Sequence, residues 1–149
     1  MSTPFGRLLD RIAELMARPA TAAIERHVLD AARITPGEVV LVVGDGPDLG
    51  RHADSAEHTG QDDESADVVL SFGDVASWHD RAAGFAELHR VLRPGGRLVL
   101  SAREDRLPVS RHELAAEAAE AGFTDLQTWL WEPPGPAAPL TAQIRALRP

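Results

Sequence analysis

The chain has 149 residues, with 15 basic side chains against 23 acidic ones, a net charge of −8, and 44% hydrophobic content. That length suits one domain with a real core, and the negative balance argues against a nucleic-acid backbone or an anionic membrane as the main partner. Lys, Cys, Tyr and Asn are absent, which excludes Schiff-base lysines, thiolate nucleophiles, tyrosine acids and zinc–thiolate clusters, and leaves proton transfer to His, Asp or Glu.

Phe5, Leu8, Leu9, Ile12, Leu15 and Met16 recur at helical spacing and predict a first helix. Pro19 interrupts the pattern, and Ala23, Ile24, His27, Val28 and Ala31 resume it. "ITPGE" (34–38) supplies a turn. Both helices (1–34) are expected to pack on the sheet formed by 38–149, the whole chain making a single domain. No signal segment opens the chain and no apolar run approaches a membrane span, so a cytoplasmic location is the expectation.

Three apolar runs without alternation, "EVVLVV" (38–43), "ADVVLSF" (66–72) and "GRLVLSA" (96–102), predict strands buried on both faces. Residues 79–92 predict a helix whose inner side is Ala82, Phe85, Ala86, Leu88, His89 and Leu92, ended by "RPGG" (93–96). Ser110 and Glu113 form a capping box before an alanine-rich helix that Gly122 closes. "FTDLQTWLWEP" alternates as a strand, with Trp129 and Trp131 on one face. "PPGPAAP" (133–139) turns the chain, and 140–148 returns antiparallel. Strands alternating with helices give an α/β fold, a mostly parallel sheet with helices on both faces.

These stretches, in this order, resemble the class I S-adenosylmethionine-dependent methyltransferases, in the methyltransferase 11-like group. "ITPGEVVLVVGDGP" is similar to that family's first strand and glycine loop, and "AELHRVLRPGGRLVL" to its passage into the fifth strand. "EAGFTDLQTWLWEP" is similar to the approach to its terminal hairpin. The resemblance implies a Rossmann-like sheet, S-adenosylmethionine as cofactor, and Gly44, Asp45, Gly46 and Asp74 as cofactor-binding candidates. In the family's strand numbering the order implied is 1-4-5-7-6, because the strands that would lie between the loop and the fourth strand are missing. The family ends the first of those strands with an acid that holds the cofactor ribose. Here only "RHADSAEHTGQDDESA" (51–66) intervenes, enough for one short helix and a turn. Two further departures concern the loop itself. Val42 stands where the family commonly has an acid, and Asp48 takes the place of a third glycine.

Gly44 and Gly46, with a following helix N-terminus, suit an anion or the methionine end of the cofactor, and equally suit a bare turn. "QDDE" (61–64) reads as a replacement ribose acid or as a solvated acidic turn. Asp74, just past a strand, reads as a substrate-orienting group or as a cap. His79 is the candidate general base. His52, His58, His79, His89 and His112 match no zinc spacing, so no metal is expected. Trp129 and Trp131 read as core or interface before substrate platform. With the intervening strands gone, Val39–Val43 becomes an unguarded apolar edge that a second subunit or the 51–66 segment must cover; the polar make-up of 51–66 makes it the poorer cover, so a homodimer through the edge is expected. Two functions compete. One is a methyltransferase-like binding or assembly module with a degenerate cofactor site. The other is an active enzyme on a small molecule, its pocket completed by a dimer partner.

Overall fold

The computed structural model describes residues 20–135 and 138–149. The predicted helix from Phe5 to Met16 lies outside the described residues, as do residues 136 and 137 of the 133–139 turn. Described first is helix α1 (20–32), where Val28 and Ala32 are buried and Ile24 and Ala31 pack beside them. The strands are β1 (Val40–Gly44), β2 (Arg51–Ala53), β3 (Ala66–Phe72), β4 (Leu92–Arg103), β5 (Thr124–Trp131) and β6 (Thr141–Leu147). Helix α2 (Arg81–Val91) precedes β4, and helix α3 (Arg111–Glu120) follows it.

These strands form one six-stranded sheet in the order β2-β1-β3-β4-β6-β5. The first four positions are parallel, while β6 runs antiparallel to both β4 and β5. Strands β1-β3-β4-β6-β5 realise the implied 1-4-5-7-6 order, with the expected terminal hairpin. Alternation along each strand divides the core. Val40, Val42, Val68, Leu70, Phe72 and Val99 face α1, whereas Leu41, Val43, Val69, Leu98, Leu100 and Ile144 face α2 and α3.

Two expectations need correction. Val39–Val43 is not an open edge, because Arg51–Ala53 pairs with Leu41–Val43 in parallel register. Of the two expected covers it is the polar segment 51–66, and not a second subunit, that pairs with this edge. A strand edge, however, is covered by backbone N–H and C=O groups and does not need apolar side chains. Arg51 and His52 accordingly stay exposed while only Ala53 is buried. Nor does 51–66 form a helix; after β2 it is a loop stitched to α2. There Glu87 accepts from the Thr59 N–H and hydroxyl at 3.1 and 2.7 Å, and Arg90 donates to the Gln61 carbonyl at 2.7 Å.

The inner face of α2 is also rotated from the expected one. Gly84, Phe85, Leu88 and Val91 are buried, while Ala82 and Ala86 are exposed. The Trp78 indole sets this rotation, because it packs so closely on Gly84 that a Cβ there would lie 2.7 Å from the ring. The cap of α3 is as expected, with Ser110 accepting from the Glu113 N–H at 3.1 Å.

Arg97 of β4 ties α1 to the sheet. Its guanidinium donates to the Ala32 and Arg33 carbonyls, where α1 ends, and grips Glu38 at 2.7 and 2.9 Å. Arg97 and the Thr35 N–H together hold the Glu38 carboxyl down to about 2. Arg90 and Thr59 likewise hold Glu87 down to about 2. A carboxylate with a depressed folded-state pKa stabilises the fold above its unfolded value and loses that contribution as pH falls through the folded one. Urea stability should therefore hold above pH ~5 and decline between roughly pH 4.5 and 2, by ~1–2 kcal/mol for each pair after solvent screening. Arg97→Met should cost about 3 kcal/mol at neutral pH by stranding Glu38 and the α1 carbonyls, and should flatten the acid decline. A urea midpoint series across pH checks both effects.

Candidate functional site

β1, β3 and β4 end side by side, and ligands in open parallel sheets bind at such C-terminal ends. Here the glycine loop leaves β1. Gly44 takes φ +86°, a left-handed conformation that favours glycine. No helix follows the loop. Residues 45–50 are irregular and lead straight into β2, so the expected helix N-terminus is not available to an anion. His52 bonds back to the Gly44 carbonyl at 2.8 Å, and Asp48 accepts from the Gly50 N–H at 3.3 Å.

Gly46 sits directly on apolar side chains. A Cβ there would lie 2.3 Å from the Phe72 ring and 2.6 Å from a Val42 methyl. Val42 thus fills a position where the related pattern places an acid, and it does so inside the core at 0% exposure. Beside this wedge a cavity of about 170 Å³ remains, lined by Glu25 of α1, Asp45, Phe72, Ser101, Arg103 and Thr141, among others.

The expected site residues are divided. Asp45 reaches the cavity. Asp74 packs against Gly44 but turns its carboxylate inward, accepting from the Ser71 hydroxyl and, at 2.6 Å, from the Trp78 indole N–H. It is 8% exposed, and both its oxygens are engaged within the fold. His79 lies elsewhere, in an open trough of about 740 Å³ between α2 and α3 that shares no residue with the strand-end cavity. Three of the charged groups lining that trough are already engaged, Arg81 bidentate to Glu117 at 2.8 and 2.9 Å and Asp80 capping α2.

"QDDE" leads into the N-terminal end of β3, opposite the ligand-binding edge. There Asp63 pairs with Arg90 and Glu64 with Arg148. Among the described residues no group of three or more His, Asp or Glu side chains could hold a metal ion. His89 instead meets Phe123 edge-on at 5.2 Å, and burial, with Arg148 nearby, pushes its imidazole pKa down. Trp129 and Trp131 share a face as expected, and that face meets α1. His27 stacks on Trp131 at 4.2 Å, and Trp129 and His27 both bond to Gln143 Oε1, at 2.8 and 2.7 Å.

Two features escape sequence reading. Asp54 directly follows β2, with a fully exposed side chain 3.7 Å from the His52 ring. This is the strand-end position from which the related fold's ribose-holding acid projects. "RHA" is too short to register as a strand, so its terminal acid carried no signal. The other is Thr141, a residue of the cavity lining whose hydroxyl is buried with no hydrogen-bond partner among the described residues.

A family model described as a methyltransferase domain matches residues 10–100. The chain belongs to the methyltransferase domain family. No curated protein sequence gives a significant match. Among solved structures, this methyltransferase domain is similar to an S-adenosylmethionine-dependent methyltransferase from Thermotoga maritima. That pair shares 18% identity with a TM-score of 0.71, covering 97% of this chain and 98% of the other. A chain from the complex between the Haloferax volcanii Trm112 methyltransferase activator and a methyltransferase gives 14% identity and a TM-score of 0.71, covering 94% of each. The phosphoethanolamine N-methyltransferase 2 of Haemonchus contortus is bound to phosphomonomethylethanolamine and S-adenosylhomocysteine. It gives 12% identity and a TM-score of 0.67, covering 84% of this chain and 52% of that one. At such identities the likeness is one of fold. No helix among the described residues of this methyltransferase domain is long and apolar enough to cross a membrane.

Proposed function

We propose that this methyltransferase domain has given up binding of the whole cofactor and acts as a binding or assembly module. The packing of Phe72 and Val42 under Gly46 carries the reading, since it leaves a cavity of about 170 Å³ at the strand ends. Sites for drug-sized ligands run to ~300–1,000 Å³, so the residues at these ends do not fit S-adenosylmethionine. The missing helix after the loop and the internally satisfied Asp74 point the same way. Fold likeness alone does not restore the chemistry.

One observation favours the active-enzyme reading. Asp54 at the end of β2 stands where a ribose-holding acid belongs, and its side chain is fully exposed with His52 as its ion-pair partner among the described residues. On that reading Gly44, Asp45 and Gly46 meet the methionine end, and a second copy supplies the missing wall, docked away from the covered β1 edge. Catalysis would then rest on alignment of an acceptor with the methyl group.

Calorimetry and thermal shift with S-adenosylhomocysteine separate the two. The module reading expects no heat and a shift under ~1 °C at millimolar ligand. A Kd below roughly 100 µM, weakened at least about tenfold by Asp54→Ala, would install the enzyme reading instead.

A further inference from the structure

Strand β5 ends the sheet at the side away from β2, and its outer edge has no strand partner among the described residues. It is also the one described strand with no buried residue, although it carries Leu126, Trp129, Leu130 and Trp131. Leu130, 39% exposed, is the only exposed large hydrophobic side chain within a described strand. We propose that β5 is a homodimer interface, pairing antiparallel with β5 of a second copy so that two sheets become one.

The two edges of the sheet are built differently. β2 is three residues long, with Arg51 and His52 exposed and the fully exposed Asp54 side chain after it. Shortness and charge are the usual guards of a free edge. β5 has eight residues. Its guard lies only at the start, where Asp125 takes φ +51° and the register with β6 shifts between Thr124 and Gln127. From Gln127 to Trp131 there is neither charge nor proline, and alternate residues turn both backbone groups outward.

A second copy is the occupant that this stretch selects. Antiparallel pairing of a strand with itself is two-fold, so one edge supplies both halves. A register centred on Trp129 sets that residue against its own counterpart, Thr128 against Leu130, and Gln127 against Trp131. Aromatic and apolar pairs of this kind stabilise a ladder, and no like charges are opposed. A strongly charged partner gains nothing here, because the edge offers no charge to complement. Roughly five paired residues fall short of the ~20–30 a side of a stable interface, so the Kd is on the order of 10–100 µM. The net charge of −8 on each copy opposes association. Salt should therefore tighten the dimer, the reverse of a charge-driven contact. Three strands separate β5 from β1 and its glycine loop, so the pairing does not depend on whether the strand ends bind a cofactor.

Sedimentation equilibrium of the full-length protein from about 5 to 500 µM should pass from the 16.0 kDa monomer to a dimer. The Kd should fall ~3-fold between roughly 20 and 300 mM NaCl. Amide shifts that grow with concentration should centre on Gln127–Trp131 and spare Arg51–Ala53. Combining Thr128→Glu with Leu130→Glu opposes carboxylates on either side of Trp129 and should raise the Kd above ~1 mM. Thr128→Lys with Leu130→Glu opposes unlike charges there and should restore the dimer, now weakened by salt. Matching thermal midpoints for the two variants separate lost pairing from lost folding. A monomer throughout in high salt, an unchanged Kd in the double-glutamate protein, or shifts centred on Arg51–Ala53 would each overturn the proposal. So would slow hydrogen exchange at the outward amides of Gln127–Trp131 in dilute protein, which would put another part of the same chain on this edge.

Discussion

Phe72→Ala should lower the thermal midpoint by about 10 °C and make the protein respond to S-adenosylhomocysteine where the native chain does not. Phe72 closes β3 at 8% exposure and packs with Val42, Leu70 and Val99 on the α1 side of the sheet. Truncating a buried phenylalanine costs ~3–5 kcal/mol. In a domain of this length each kcal/mol moves the midpoint by ~2–4 °C. The same truncation removes the ring on which Gly46 rests, and the freed volume adds to the neighbouring cavity. Differential scanning fluorimetry with and without millimolar ligand reads both effects. A midpoint within ~2 °C of native would mean the ring is not a core element. A full midpoint loss with no gain in ligand response would mean that the missing helix after the loop, and not the ring, shuts the cofactor out.

The second large effect falls on Asp74. Its carboxylate joins the Ser71 hydroxyl on β3 to the Trp78 indole, and the Trp78 ring in turn meets Phe85 edge-on at 5.1 Å. Asp74→Ala would leave a buried indole N–H and a buried hydroxyl without an acceptor, at a cost of ~3 kcal/mol. It should also shift Trp78 emission, since the indole loses a charged neighbour. Asp74→Asn keeps one acceptor oxygen and should lose less, ~2 kcal/mol. Urea unfolding monitored by tryptophan fluorescence gives the ranking. If both variants matched the native midpoint, the carboxylate would not be holding the β3–α2 connection together. It would then be available to a ligand after all.

The apolar strands and helix caps were legible because each carries its signal locally. "ADVVLSF" carries the unbroken apolar run Val68–Leu70, and Ser110 stands three residues before Glu113. The short strand Arg51–Ala53 was not legible, because it joins the sheet through its backbone and spends only Ala53 on the core. With it went Asp54, which has meaning only once a strand is known to end there. The closeness of Phe72 to Gly46 is likewise a tertiary fact. The sequence shows a glycine loop with Asp48 in the place of a third glycine, and nothing in it tells what packs beneath Gly46. The structure puts an aromatic ring there first. Asp74 was recognisable as a residue at the ligand edge, but its choice of partner depends on Trp78 folding back across Asp74–Ser77.

The three-residue cover over β1 also bears on how this protein survives storage and heating. Leu41–Val43 is fully buried, and Arg51–Ala53 pairs with its otherwise open backbone edge. A short peripheral strand opens far more often than the domain unfolds. Each opening bares an unpaired strand edge to other molecules in solution. The soluble lifetime should therefore track the fraying of this one segment and not the global midpoint. It should shorten with rising concentration even at temperatures where the native population is complete.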